Sequence, residues 1–459
     1  MSSPSTLPLK GLCVLDFSRV LAGPWCTMLL ADAGATVIKV ERPFVGDDTR
    51  AWGPPFVQGK DSSRLSTYFL SVNRGKQSIA IDMAHPKGLE ICRHLATDWA
   101  SVLVENFKCG TMSKFGLGYE TLASQNPGLV YCSISGYGPD GPFAAYPGYD
   151  VVAAGMYGLM SITGDEEGPP AKVGVAMTDV LTGTLAQSGI LSALYARQDT
   201  GRGQKVDVSL MESQLAGLVN IAASSLNAPA GAAPPKRWGT AHESIVPYQA
   251  FPCKRDESVN HSRTSVAVPA AAVAPTEYIL VGAGNDRQFV QLCCILGIPD
   301  VANDEQYRSN ASRVEHRHSL IPLLEQIFQT KSRDEWVSTL KGKGFPMGPL
   351  RSVPEAFQCP QATSRGMVQE MEHPHIGKVW LPRTPISFSG GRGNDSSVTS
   401  DGMDTGEECG LGGILPPPML GEHTESVLSS VLGMNSDDIE ALRDAGVVEC
   451  WDASSRTIC

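Results

Sequence analysis

Three features of the sequence predict an α/β fold built on a parallel sheet. Residues 11–41 carry "GLCVLDF", "GPWCTMLLADAG" and "ATVIKVE", which read as strand, helix and strand, a βαβ unit. The same alternation continues to residue 138. Finally, 459 residues that are 42% apolar and 19% charged, with ordinary Gly and Pro counts, describe two or three globular domains rather than a disordered, collagenous or disulfide-scaffold chain.

In chain order the next elements are a strand at "QSIAIDM", a helix at "HPKGLEICRHLATD" and a strand at "ASVLVENF". A helix at "GYETLASQNPG" and a strand at "LVYCSISGYG" follow. Strands and helices of these lengths give a parallel sheet covered on both faces, with ligand sites at the carboxyl ends of the strands. Phe17–Gly23, Glu41–Arg50, Glu105–Lys108 and Ser135–Gly138 therefore share one rim. The first turn, "DFSRVLAGPW", lacks the GxGxxG of a dinucleotide site, which disfavours an NAD enzyme; helix-start amides remain suited to another phosphate.

A long helix runs from about Val180 to Arg197, and "KVDVSL" gives a further strand before another helix. The Pro/Ala/Gly run "NAPAGAAPP" (227–235) is a linker closing a first domain over 1–226. Beyond it, "EYILVGAG", "RQFVQLCCILG", "SLIPLLEQIFQTKSRDEWVSTLKGKG" and the pair "MVQEMEH" and "GKVWLPR" predict a small α+β domain over 236–389. Pro252–Pro275 and Gly390–Pro418 look inserted, low in periodicity and rich in Ser, Gly, Ala or Pro, and are expected to be surface loops or locally disordered.

A net charge of -11 argues against nucleic acid or an anionic membrane as partner, whereas a small anionic ligand needs only a local basic pocket. Twelve cysteines without a CxxC pair are the reduced thiols of an intracellular protein. The clusters His316–His318 and His373–His375 lack zinc spacing, and no metal is assigned. The N-terminus shows no signal or transit pattern and no apolar run reaches membrane-span length, so a cytoplasmic location is expected.

One carboxylate stands out. Asp179, in "VGVAMTDVLTG", has only small or apolar neighbours. It either caps the helix beginning at Val180 by accepting a free backbone N–H, or it is a nucleophile toward an activated acyl group. On the second reading the helix N-terminus keeps the carboxylate ionised, and Gly174, Ala176, Gly183 and Thr184 leave room for a substrate. Spacing does not separate the two.

The segments "LKGLCVLDFSRVLAGPWCTMLLADAGATVIKVERPFVGDDTRAWGPPF", "YFLSVNRGKQSIAIDM", "VENFKCGTMSKFGLGYE", "YCSISGYGPDGPFAAYPGYDVVAA" and "VGVAMTDVLTG" resemble the class III CoA-transferase family. The likeness resumes at "KRWGTAHESIVPYQAF", "ILVGAGNDRQF", "GMVQEMEHPHIGKV" and "PPPMLGEHTESVL". "KRWGTAHESIVPYQAF" and "SVNRGKQSIA" look most like the dicarboxylate branch, typified by succinate-hydroxymethylglutarate CoA-transferase. This resemblance implies a Rossmann-like large domain built from both chain ends, with 419–459 returning to it, a small middle domain, and an interlocked homodimer. It implies acyl-CoA and a carboxylic acid as substrates, with no permanently bound cofactor. Some relatives in this branch have presequences, which makes a mitochondrial location the alternative.

The resemblance places the family's catalytic aspartate on Asp179 and its CoA contacts on Val20, Ala22, Arg42, Asn106 and Lys114, while Tyr149 in "PGYD" matches a tyrosine lining the site. Formyl-CoA transferases carry lysines where this chain has Ala84 and Pro147, and a glycine-run loop not found here, which disfavours formyl or oxalyl substrates. A longer diacid needs a cation for its distal carboxylate, and Arg74 and Arg313 are the candidates. The alpha-methylacyl-CoA racemase branch is the rival enzyme, but it has Gly-His-Asp where this chain has Gly148, Tyr149 and Asp150, and tyrosine titrates far from neutral pH. A noncatalytic CoA-binding dimer is the rival from another class.

Overall fold

Six strands pair in parallel: β1 (Cys13–Asp16), β2 (Thr36–Glu41), β3 (Lys76–Ile81), β4 (Val102–Glu105), β5 (Val130–Ser135) and β6 (Lys205–Ser209), in the order β3-β2-β1-β4-β5-β6. This is the doubly wound order, in which the winding reverses between β1 and β4 and opens a crevice at their carboxyl ends. A seventh strand, Val448–Glu449, joins antiparallel beside β3, so the C-terminal segment completes the sheet. The computed structural model describes residues 7–59, 63–255, 277–388 and 414–452; most of the two inserted stretches, 256–275 and 390–413, lies outside them.

The strands form where the two-residue period sends alternate apolar side chains to opposite faces. Val14, Val37, Val102 and Val130 pack toward α1 (Ala22–Asp32) and the later helix Met177–Thr200, sharing a core with Cys26, Leu30, Ala186 and Ile190. Leu15, Ile38, Leu103 and Tyr131 pack on the other face with Ile91, Leu428 and Leu442.

The chain divides into two compact units, one of residues 1–159, 172–233 and 360–459, the other of 160–171 and 234–359. The division at Ala233 and Pro234 falls inside the expected linker. Residues 360–389 do not: expected in the small domain, they belong to the first unit. The physical reason is burial, because the hairpin Val368–His373 and Gly377–Pro382 contributes Met371, Ile376, Val379 and Leu381 to a core with Leu65, Phe69 and Leu70. The second unit has a three-stranded antiparallel sheet of Tyr248–Pro252, Tyr278–Gly282 and Met347–Pro349 over a core that includes Phe251, Phe289, Phe328 and Trp336.

Candidate active site

At the crevice between β1 and β4, the turn after β1 is held from two sides. The Arg19 N–H donates to Asn106 Oδ1 at 2.9 Å and Asn106 Nδ2 donates to the Arg19 carbonyl at 2.7 Å. The Val20 N–H donates to both carboxylate oxygens of Asp47 at 3.2 Å. Val20 itself is left-handed, with φ 70°, a conformation that a β-branched residue adopts only where its surroundings impose it. Ala22 follows as the first residue of α1. Val20, Ala22 and Asn106 therefore meet on the rim expected from sequence. Arg42 and Lys114 are exposed at its edge and make no ion pair among the described residues.

Asp47 is anchored by buried charge. Its carboxylate meets Lys39 Nζ at 2.9 Å and the Thr49 hydroxyl at 2.8 Å, and the Lys39 ammonium holds its pKa down at about 2 against the cost of burial. Lys39 also donates to the Ser18 carbonyl at 2.7 Å, and Lys76 meets Asp16 at 3.1 Å behind the same turn. Composition does not reveal this network, because lysines in strands ordinarily face water.

Helix α2 (Asp150–Met156) starts directly after Tyr149, which is exposed, and helix α3 is the long Met177–Thr200. Helix α3 begins at Met177, not Val180, which puts Asp179 within its first turn instead of at the cap. The capping expectation is corrected accordingly. It is Asp150 whose Oδ1 accepts the free N–H groups of Thr178 at 2.9 Å and Asp179 at 3.2 Å. The carboxylate of Asp179, half-buried, makes no hydrogen bond among the described residues.

Asp179 is not held ionised by the helix end as expected. Burial and the like charge of Asp150 push its pKa up to about 7, outweighing the attraction of the helix dipole. The Tyr68 hydroxyl belongs to the same acidic neighbourhood: burial first, then the charges of Asp179, Asp150 and Asp47, push it up to about 12, so it remains a donor at neutral pH. The Tyr68 ring meets Trp52 edge-on at 5.2 Å. Asp150, Tyr68 and Asp47 were not among the expected site residues. "PGYD" gave weight to its tyrosine alone, and nothing local links "STYF" to a helix more than 100 positions later.

Gly183, expected to leave room for a substrate, does something else. A Cβ there would lie 2.3 Å from the Ala22 carbonyl oxygen, so the glycine lets α3 approach α1. Trp25 Nε1 ties the same crossing to Thr184 Oγ1 at 3.1 Å. Gly183→Ala is expected to force the helices apart and destabilise the protein by about 1–3 kcal/mol, measured by urea denaturation; an unchanged midpoint would contradict the packing. Gly174, in contrast, does face open space.

The two arginines expected to bind a distal carboxylate are committed elsewhere. Arg74 is buried, its Nε and Nη2 on Asp32 at 2.8 and 2.6 Å and its Nη1 on the Pro382 carbonyl at 3.1 Å. Arg313 is buried over the Phe289 ring, donating to the carbonyls of Val246 and Tyr307 and to Asp286 at 2.7, 2.9 and 2.8 Å. Both guanidiniums are buried and committed to partners within the protein, so neither is presented to a substrate. Among the described residues no group of three or more His, Cys, Asp or Glu is placed to hold a metal, and no helix is long and apolar enough to cross a membrane.

Comparison with known proteins bears out the resemblance. The family model described as CoA-transferase family III matches residues 9–399. The succinyl-CoA:glutarate CoA-transferase of Mus musculus is 42% identical over 445 residues, 97% of this chain and 91% of that protein. The succinate--glutarate CoA-transferase of Agrobacterium fabrum is 38% identical, covering 92% of this chain and 96% of that protein. A CAIB/BAIF family protein from Brucella suis superposes with a TM-score of 0.74 at 38% identity, covering 93% of this chain and all of that one (100%). With strand order, crevice and sequence in agreement over nearly the whole length, the chain belongs to CoA-transferase family III and is an enzyme of that class.

Proposed function

We propose that the protein moves CoA from succinyl-CoA to a dicarboxylic acid through covalent intermediates on Asp179. The observation that carries this is the Asp179 carboxylate itself, unengaged at the start of α3 while Asp150 caps the helix in its place. The names of the relatives support succinyl-CoA as donor and a glutarate-like diacid as acceptor.

The ionised Asp179 oxygen attacks the thioester carbonyl, forming a mixed anhydride as the CoA thiolate leaves. The thiolate then attacks the aspartyl carbonyl of that anhydride, giving an aspartyl-CoA thioester and free succinate. The acceptor carboxylate attacks this thioester, expelling thiolate and forming a second anhydride. Thiolate attack on its acceptor-side carbonyl releases the new acyl-CoA and restores Asp179. Each step exchanges one activated acyl link for another, so no ATP is consumed. Val20, Ala22 and Asn106 line the CoA crevice, Arg42 and Lys114 meet its phosphates, and the protonated Tyr68 and exposed Tyr149 flank the acyl group. The family resemblance supports an interlocked homodimer, the net charge of -11 disfavours nucleic acid or an anionic membrane as partner, and a cytoplasmic or mitochondrial location belongs to the same reading.

Because the attacking form is the carboxylate, formation of acyl-enzyme is expected to rise with pH and level off above about 7, following Asp179. Single-turnover kinetics from about pH 5.5 to about pH 9, on both sides of the titration, check this; a flat profile in the chemical step would contradict it. To test the function, the protein is incubated with succinyl-CoA and a panel of dicarboxylic and monocarboxylic acids, and every CoA ester is identified by mass. New dicarboxyl-CoA esters support the reading. CoA binding without any new ester would favour a noncatalytic CoA-binding dimer.

A further inference from the structure

A cavity of about 260 Å³ lies within the second unit, lined by Glu166, Trp238, His242, Arg317 and His318 on its polar side and by Ile245, Val246, Ile321 and Pro322 on its apolar side. We propose that it binds one carboxylate group of a small aliphatic acid, with Arg317 and the Trp238 indole N–H as the anion's partners and the four aliphatic residues against its carbon chain. The inference does not use the reaction assigned to Asp179.

Three observations carry it. The first is a buried cation without an ion pair. Arg317 is 8% exposed, yet its guanidinium donates only to the carbonyls of Val314, His242 and Glu243 and forms no ion pair among the described residues. A buried charge left unpaired is costly, and an anion in the adjoining cavity removes that cost. Of the two acids whose charges act on it, Glu166 pairs with Lys236 and Glu243 stays beyond ion-pair distance.

The second is an orphaned donor. Trp238 Nε1 is buried and has no acceptor among the described residues. An indole N–H is a donor only, so what it lacks is an oxygen or other acceptor. Lys236 Nζ and the Arg317 guanidinium lie 4.2 and 4.3 Å from the Trp238 ring centre, which fixes the indole beside the unpaired cation.

The third is a helix start of the wrong sign for the residues on it. Helix α4 (Arg317–Phe328) opens with Arg317 and His318, has no acidic residue in its first turn and receives no side-chain cap. Its dipole and its two basic side chains favour the same kind of guest, a negative one.

Isothermal titration of the full chain with sodium butyrate, a monocarboxylate outside the proposed acceptor class, without CoA so that no turnover occurs, tests the proposal. The native protein and Asp179→Asn are expected to bind with equal affinity, one site per chain. Trp238→Phe keeps the ring but removes the donor and is expected to weaken binding by about fivefold; Arg317→Lys, which loses the planar fork, by about tenfold or more. Circular dichroism confirms that each variant is folded, and should Arg317→Lys fail to fold, Trp238→Phe decides. Absence of binding, binding lost in Asp179→Asn, or binding unchanged in Trp238→Phe would overturn the proposal. So would equal competition by sulfate, which would show an unselective anion site.

Discussion

Asp179→Asn is expected to lower the rate of CoA transfer at least about a thousandfold and, at the same time, to raise the thermal stability of the protein at pH 8. The first effect follows from chemistry, since an amide cannot attack a thioester. The second follows from the raised pKa. A carboxyl group whose folded pKa is lifted from 3.8 to about 7 favours its protonated form in the native state. Its contribution to stability is present below about pH 4 and is lost as pH rises through about 7. At pH 8 the native protein carries this penalty and the neutral amide does not. A melting temperature higher by about 2–4 °C or more is expected, shrinking to nothing near pH 4. A side chain that merely capped its helix would behave in the opposite way, losing stability when replaced. The pair of measurements, exchange rate and melting curve against pH, therefore separates the two readings that spacing alone left open.

Asp47→Ala is expected to cost about 3–5 kcal/mol of folding stability, the largest loss among the substitutions considered. It strands the Lys39 ammonium in the core and frees the Val20 N–H and the Thr49 hydroxyl together. Because the same carboxylate holds Val20 in its left-handed conformation, CoA affinity is expected to fall as well, even under conditions where the variant is folded. Urea denaturation and CoA titration measure the two effects, and a stability loss below about 1 kcal/mol would place the network outside the ordinary behaviour of buried ion pairs. The native protein should show the matching acid sensitivity. With Asp47 held at about 2, its stabilisation is complete above about pH 4 and disappears as pH falls through about 2.

What the sequence made legible follows from how local each cue is. The strands β1 to β5 announced themselves through short apolar runs between helices, and the strand-end rim followed from their parallel order. That brought Val20, Ala22 and Asn106 to one crevice before any contact was seen. The C-terminal strand Val448–Glu449 is two residues long and pairs with a partner more than 350 positions away, which no window of sequence reveals. The hairpin at 368–382 was visible as two strands, but which unit buries Met371 and Leu381 depends on Phe69 and Leu70, far upstream.

The same limit governs the site. Asp179 was conspicuous because a carboxylate among small residues is unusual. Asp150 was not, although its hydrogen bonds to the first turn of α3 are what leave Asp179 unengaged. Arginine chemistry pointed to Arg74 and Arg313 as substrate cations, but their ion-pair partners Asp32 and Asp286 are remote in sequence. Arg317, four positions beyond Arg313, is a buried guanidinium that forms no ion pair among the described residues.

The central claim is that the acyl and CoA groups pass through Asp179, and the most direct measurement is the mass of the peptide that contains it. The protein is mixed with succinyl-CoA in the absence of an acceptor acid, quenched within seconds and digested at low pH. The account predicts a fraction of that peptide carrying CoA joined to Asp179 with the loss of one water, absent from Asp179→Asn and discharged by adding a dicarboxylic acid. An unmodified Asp179 peptide in protein that is exchanging CoA under the same conditions would contradict it.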